Sequence, residues 1–237
     1  MQQIIGLLLE DTPTKRIFPL TRIQKLIGER MLKSKLNKPC FYIKSKADMT
    51  ELMGLRRKLG KSLGVGITSN TFFIRALALA ASRFPAMVGR LSGGKIVLAD
   101  AINVGFAVNS PQGLVVPVIR NADKKTLAQI AGLDILLTDK ARHNKLTLAD
   151  IEGETIALSN LGAYGTDSFI GITPPPTSTI LSAGNVVRTI VPEDGRPQMR
   201  KIAELSLAVD NRVIDGVYAA RFLSFIAEQL QNPQQLI

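Results

Sequence analysis

Helical spacing and strand-like runs follow one another along this chain, and that succession limits the fold more than any other feature. Thr21 is placed to cap a helix running to about Leu36, with apolar Ile23, Leu26, Ile27, Met31 and Leu32 at helical spacing. Cys40 to Ala47 then alternates, Phe41 and Ile43 against Tyr42 and Lys44, which predicts a half-buried strand. Asp48 caps a second helix, from Met49 to about Ser62. Asn70 opens a third, Thr71 to Phe84, whose surface of Ala76, Leu77, Leu79 and Ala80 predicts close packing; Pro85 stops it. From Lys95 the pattern becomes strand-like. Runs over 102–108 and 114–119 are joined by Asn109-Ser110-Pro111-Gln112-Gly113, a hairpin signal. An amphipathic helix from about Thr126 to Arg142 puts Leu127, Ile130, Leu133, Leu136 and Leu137 on one side. Strand-like runs at 155–159, 178–187 and 203–209 precede a last helix, Val217 to Leu230, which turns Ala220, Phe222, Leu223 and Ile226 inward. The reading is an α+β fold, helices packed on a mixed β-sheet, in one domain over 19–237. Residues 1–18 read as an arm, a short apolar piece followed by the turn Asp11-Thr12-Pro13-Thr14.

Charge sorts the possible partners. The net charge is +11, and residues 15–61 carry 14 Lys or Arg against Glu29, Asp48 and Glu51. That basic third can meet phosphates of a nucleic acid or of a nucleotide-bearing cofactor. No nucleic-acid motif accompanies it, and Phe41 and Tyr42 belong to the predicted strand, so solvated helix faces and cofactor steering are the expectation and nucleic acid is not. No apolar run reaches the roughly 20 residues of a membrane span, and no basic segment precedes Ile4 to Leu9 to make a signal peptide. No membrane association is expected. The single cysteine, Cys40, leaves no internal disulfide. It fits a reducing compartment, the cytoplasm or, in a eukaryote, the mitochondrial matrix. Beside Phe41, it reads as a small buried apolar residue.

Few residues can carry chemistry. The one histidine, His143, lies at the end of a helix with no Ser, Cys or carboxylate within three residues. A surface histidine is favoured there by the helix dipole alone. With one His and one Cys far apart, no metal site is expected. Two segments stand out instead. In Leu158-Ser159-Asn160-Leu161-Gly162-Ala163-Tyr164-Gly165 a strand runs into a turn punctuated by glycine. A hydroxyl and an amide there suit oxyanion or ligand binding, and Ser and Asn are equally ordinary turn formers. Asp210-Asn211-Arg212-Val213-Ile214-Asp215-Gly216 follows an apolar strand and precedes a helix. Its two carboxylates around an arginine form either an ion-pair cluster or, through Asp215 and Gly216, a helix start.

Together these segments resemble the catalytic core of the dihydrolipoyl acyltransferases, the acyltransferase component of 2-oxo acid dehydrogenase complexes, a fold shared with chloramphenicol acetyltransferase. Other motifs follow in the same order: Pro19-Leu20-Thr21-Arg22, Glu29-Arg30-Met31, Asp48-Met49-Thr50-Glu51-Leu52, Asn103-Val104-Gly105-Phe106-Ala107-Val108, Gly113-Leu114-Val115-Val116-Pro117-Val118-Ile119-Arg120 and Ala219-Ala220-Arg221-Phe222. The resemblance implies acyl transfer between a lipoyl thiol and coenzyme A, in a channel at the interface of a homotrimer. A histidine from one subunit takes the thiol proton, a serine from its neighbour stabilises the oxyanion, and an aspartate four residues after the histidine supports it. By position Ser159 matches the serine and Asp215 the aspartate. Arg56, Thr68, Asn109, Ser159, Asn160 and Gly184 match contacts to CoA.

The departure is at the base: Asn211 stands where the resemblance calls for histidine. An amide has no group that titrates near neutrality. General-base catalysis contributes about 10²–10⁴-fold, so the reading divides between an acyltransferase slowed by about that factor and a non-catalytic scaffold subunit. Only about 18 residues precede the core, so the lipoyl group is expected from another chain, with lipoyl-bearing and dehydrogenase subunits as partners. Leu236 and Ile237 resemble the apolar tail that joins trimers into larger cages.

Overall fold

Three helices begin on the same local chemistry. Thr21, Thr68 and Thr126 each sit in extended backbone and accept a hydrogen bond from the amide three residues on, whose side chain reaches back to complete a capping box. The computed structural model describes residues 18–237, so all of the expected arm except Phe18 lies outside the described residues. Helix α1 is Arg22–Asn37, strand β1 Cys40–Asp48, α2 Thr50–Leu63 and α3 Ser69–Arg83. Helix α3 thus starts at Thr68 and not Asn70, because the capping box competes better for the free amides. The N-cap of α2 is Met49 and not Asp48, although the Asp48 carboxylate accepts from Thr50 N at 2.8 Å.

The hairpin expected from the runs at 102–108 and 114–119 divides in two. Strand β4, Val104–Phe106, and β7, Val118–Ile119, pair antiparallel in the main sheet. Between them β5, Val108–Ser110, and β6, Gly113–Val115, form a separate ribbon. A small ribbon, β2 (Arg90–Ser92) with β3 (Lys95–Val97), lies before them. Next come α4, Leu127–Arg142, the short α5, Leu148–Ile151, β8, Ile156–Asn160, β9, Thr179–Glu193, β10, Arg196–Asp210, and α6, Gly216–Gln231. The central sheet has the order β1-β10-β9-β8-β4-β7. It is mixed, with β8 parallel to both β4 and β9.

One face of this sheet meets α3 and α6. Phe72, Phe73, Ile74 and Leu77 are fully buried, and Ala76, Ala78, Ala80 and Ala81 let the helices approach closely. Phe84 packs edge-on against Tyr218 and Phe222, with centroids 5.4 and 5.8 Å apart. On α6 Phe222, Leu223 and Ile226 are buried as expected, while Ala220 faces solvent and Ala219 takes its place against the core. The other face carries Ala157, Ile180 and Ala208 with the row Ser159, Ser182 and Ser206, which the register places side by side on three strands.

Segment 161–178 covers that second face: Gly171 N donates to Ser182 Oγ at 3.0 Å and Lys44 to Ser168 Oγ at 2.8 Å. Helix α1 lies over the segment, held by a polar row of Arg30, Ser34 and Lys38 at intervals of four. Arg30 bonds Glu154 at 3.0 Å and the Pro175 carbonyl, Ser34 the Thr173 carbonyl, and Lys38 the Thr177 carbonyl at 2.6 Å. Leu26 and Leu32, expected to face a core, are more than half exposed. Cys40 is only half-buried, its Sγ 3.8 Å from Thr173 Oγ1.

Candidate active site

The turn after β10 is built around Asp210. Its carboxylate, 2% exposed, accepts from Arg212 Nε at 2.9 Å, Arg212 Nη2 at 2.7 Å and Arg212 N at 3.1 Å. Burial alone would raise this carboxyl, but the Arg212 side chain and backbone bonds outweigh it and hold it below its ordinary value. Asp215 takes no part in that cluster. It caps α6, accepting from Tyr218 N at 2.9 Å, which resolves the two alternatives for this motif: one carboxylate makes the ion pair, the other starts the helix. Between them Asn211 donates its backbone N–H to Pro39 O at 3.1 Å and presents its side chain to solvent, with no hydrogen-bond partner among the described residues.

At the other end of the sheet, Ser159 and Asn160 close β8. Asn160 Oδ1 accepts from Gly162 N at 3.0 Å and Leu161 N donates to Ala183 O at 3.1 Å. The backbones then crowd. A Cβ on Gly162 would stand 2.6 Å from Gly184 O, and one on Gly184 would collide with the Asp167 carbonyl. Gly184 is therefore demanded by the crossing of the chain over β9, whatever else approaches it.

Ser159 and Asn211 do not meet within one chain. Ser159 lies level with Ser182 and Ser206. Asn211 is five positions beyond Ser206 on the outgoing chain, on the order of 17 Å along the strand and ~10 Å across two strand spacings.

Arg56 and Thr68 do come together. Both line an open groove of about 610 Å³ with Arg57, Lys61, Val65 and Ser69, between α2 and the start of α3. Gly64, at φ 66°, ends α2 in the left-handed conformation that turns the chain along this groove. Asn109 lies apart, exposed on the β5–β6 ribbon, which packs against α4.

Three polar residues near these places are not evident from sequence. Asp134 on α4 is 4% exposed and accepts from Thr68, Asn70 and Thr71; a single acid within an apolar helical face is its only sequence signal. Glu154 lies buried under Arg30, and that burial raises its carboxyl above the ordinary value while Arg30 and Lys38 pull it part of the way back. Burial likewise lowers Lys38, whose ammonium sits among the carbonyls of 173–177. His143 is where the dipole argument puts it, ending α4 with Nδ1 2.9 Å from Asp139 O and 3.2 Å from that carboxylate. Among the described residues no group of three or more His, Cys, Asp or Glu could hold a metal ion, and no helix is long and apolar enough to cross a membrane. Of the two residues likened to an apolar tail that joins trimers, Leu236 is fully buried in its own chain and Ile237 is exposed.

Sheet order, helix placement and the two segments at Ser159 and Asn211 define a chloramphenicol acetyltransferase-like core. The family model for the 2-oxoacid dehydrogenases acyltransferase (catalytic domain) matches residues 12–237, and the chain belongs to that family. It is 34% identical over 219 residues to the lipoamide acyltransferase component of the branched-chain alpha-keto acid dehydrogenase complex of Bacillus subtilis, covering 90% of this chain and 52% of that one. It is also 34% identical over 233 residues to the dihydrolipoyllysine-residue succinyltransferase component of the 2-oxoglutarate dehydrogenase complex of Cupriavidus necator, covering 97% and 56%. The chain thus spans about half the length of these curated relatives. Among solved structures, a probable dihydrolipoamide acetyltransferase from Listeria monocytogenes superposes with a TM-score of 0.89 at 32% identity, covering 93% of this chain and 96% of that one. The dihydrolipoamide acetyltransferase of Azotobacter vinelandii, investigated for the role of a serine, a histidine and an asparagine in its catalytic mechanism, gives 0.90 at 32% identity, covering 94% of each chain. Chloramphenicol acetyltransferase, at 18% identity and a TM-score of 0.52 over 92% of this chain and all of the other, shares the fold.

Proposed function

We propose that residues 19–237 form a CoA-dependent acyltransferase core that moves an acyl group between a lipoyl thiol and coenzyme A, with its chemistry slowed because Asn211 replaces the base. The observation that carries this reading is a spacing. In the Azotobacter protein the histidine stands 52 positions after the serine and the asparagine four further on; Ser159, Asn211 and Asp215 keep the same intervals. The separation of Ser159 from Asn211 within one chain supports a site shared between copies. A homotrimer places Asn211 of one subunit against Ser159 of the next, as a unit from which a larger cage could be built.

In such a site the attacking thiolate adds to the thioester carbonyl carbon. The carbonyl electron pair moves to oxygen, the Ser159 hydroxyl donates a hydrogen bond to that oxyanion, and collapse expels the other sulfur as thiolate. Asp215 holds the start of α6 and with it the turn that carries Asn211. The basic groove at Arg56, with Thr68, receives the phosphates of CoA, and Asn109, Asn160 and Gly184, which lie outside that groove, meet the rest of the molecule. The lipoyl group comes from a lipoyl-bearing subunit that works with the dehydrogenase. What is lost is proton removal. A small fraction of a free thiol is ionised at neutral pH without help, so positioning and oxyanion stabilisation still act on that fraction.

Asn211 equally favours a second reading, a scaffold subunit that keeps the fold and transfers nothing. Acyl transfer between dihydrolipoamide and CoA, assayed for the protein and for Asn211→His, separates the two. A rate gain of about 10²-fold or more in the variant, with CoA affinity unchanged, supports a site lacking only its base. No turnover in either protein, together with no CoA binding, leaves the scaffold.

A further inference from the structure

The groove of Arg56 and Thr68 has a buried carboxylate behind it. Asp134 does not line the groove; it occupies a position on α4 between the buried Ile130 and Leu137, and three donors converge on it. Thr68 Oγ1 at 2.8 Å and Thr71 Oγ1 at 3.1 Å reach its Oδ2, and Asn70 Nδ2 at 3.0 Å reaches Oδ1.

A hydroxyl has one proton. With that proton given to Asp134, each threonine keeps lone pairs for the capping box: Thr68 Oγ1 accepts from Thr71 N at 3.1 Å and Thr71 Oγ1 accepts from Thr68 N at 3.3 Å. The two hydroxyls also stand 3.1 Å from one another, but the ionised carboxylate is the stronger acceptor and so fixes the direction of both. The next residue, Ile135, backs the same wall, its Cδ1 3.5 Å from where a Cβ on Gly66 would stand. Helix α4 also packs against β5, the strand of Asn109. A single helix thus supports both Thr68 and the ribbon of Asn109. Asp134 also partly neutralises the positive end of α3, so attraction of an anion falls to Arg56, Arg57 and Lys61.

We propose that Asp134 is a positioning residue for the groove, holding its Thr68 wall in the geometry that receives the nucleotide phosphates of coenzyme A. This rests on the reading of the groove as the CoA site. The test is calorimetric titration of CoA into the wild-type protein, Asp134→Asn, Thr71→Val, Thr71→Ser and Asp139→Asn, each with its thermal unfolding midpoint. Thr71 is fully buried and cannot touch a ligand, so any loss of affinity on changing it travels through position. Expected is CoA binding weakened about fivefold or more in Asp134→Asn and Thr71→Val. Thr71→Ser, which keeps the hydroxyl, and Asp139→Asn, the same charge change at an exposed site of α4, bind as wild type does. Should Asp134→Asn not fold, the two Thr71 variants decide. Lowered midpoints with unchanged CoA affinity in the folded variants overturn the positioning role alone. A wild-type protein that binds no CoA overturns the groove reading and this inference with it.

Discussion

Asp210 and Arg212 reach across Asn211 to one another, the guanidinium giving hydrogen bonds of 2.9 and 2.7 Å to a carboxylate that solvent barely touches. The clasp fixes the turn whichever residue occupies position 211, because it uses only the flanking side chains and the Arg212 amide. Replacement of the histidine expected at this position therefore need not disturb the turn.

Arg212→Met would leave the Asp210 carboxylate buried without its main partner. Breaking a buried ion pair from one side costs about 3–5 kcal/mol. Arg212 is itself 40% exposed, so solvent screening reduces this to about 1–3 kcal/mol. The folded carboxyl titrates below its ordinary value, so the clasp contributes stability above the unfolded pKa of about 3.9. That contribution is lost as pH falls through the lower folded value. Urea unfolding of wild type and Arg212→Met should show the full difference at pH 7 and a shrinking one below pH 4.

Gly184→Ala would drive a Cβ into the Asp167 carbonyl, a backbone atom that cannot swing aside. The clash should cost about 3 kcal/mol or more and expose the end of β8 where Ser159 sits. Circular dichroism melting checks it: a variant that melts within a few degrees of wild type would show that segment 161–167 can lift away.

Most elements can be read from the sequence because their causes are local. The cap at Thr21, the apolar stripe of α4 apart from the half-exposed Leu136, and the run at 203–209 are legible from spacing and composition. The long β9–β10 hairpin reads short. Its outer half, with Pro192 opposite Pro197 and arginines at 188, 196 and 200, outruns its neighbours and has no core face to imprint an apolar alternation. Asp194-Gly195, the tight turn that joins the strands with positive φ at both residues, is the available signal. Leu26 and Leu32 mislead for the opposite reason: their spacing is helical, yet α1 rests on the polar row of Arg30, Ser34 and Lys38. Residue type and the family resemblance bring Ser159 and Asn211 forward as candidates, but their separation on the sheet is a matter of strand order, which no single segment encodes.

Gly105 and Glu154 make a coupled pair. An added Cβ at Gly105 would stand 2.7 Å from Glu154 Oε2 and 3.0 Å from Val116 Cγ1. Gly105→Ala should destabilise by about 1–3 kcal/mol, and Glu154→Ala in the same chain should recover part of that, because it removes the nearer neighbour. A double-mutant cycle in urea measures the coupling; strictly additive effects would mean that the crowding is relieved elsewhere.

Without a base, the dependence of acyl transfer on pH should be that of the thiol itself. If Asn211 contributes no proton acceptor, the rate at saturating substrate follows the thiolate fraction. It should then rise about tenfold per pH unit for as long as the pH lies below the pKa of that thiol. An imidazole at the same place would change the form of the curve. With a pKa near 6.5, Asn211→His should rise through its own titration and then level off. The gain over wild type should accordingly be largest near neutrality and shrink as the pH nears the thiol pKa, where the thiol ionises unaided. Initial rates with dihydrolipoamide and an acyl-CoA, measured from pH 6 to 9 for both proteins, give the two slopes directly. A wild-type profile that is already flat above pH 7 would mean that another group takes the proton. Lys38 cannot be that group while its ammonium donates to the carbonyls of Thr173, Pro174 and Thr177, so a flat profile would direct attention to a base from a neighbouring subunit.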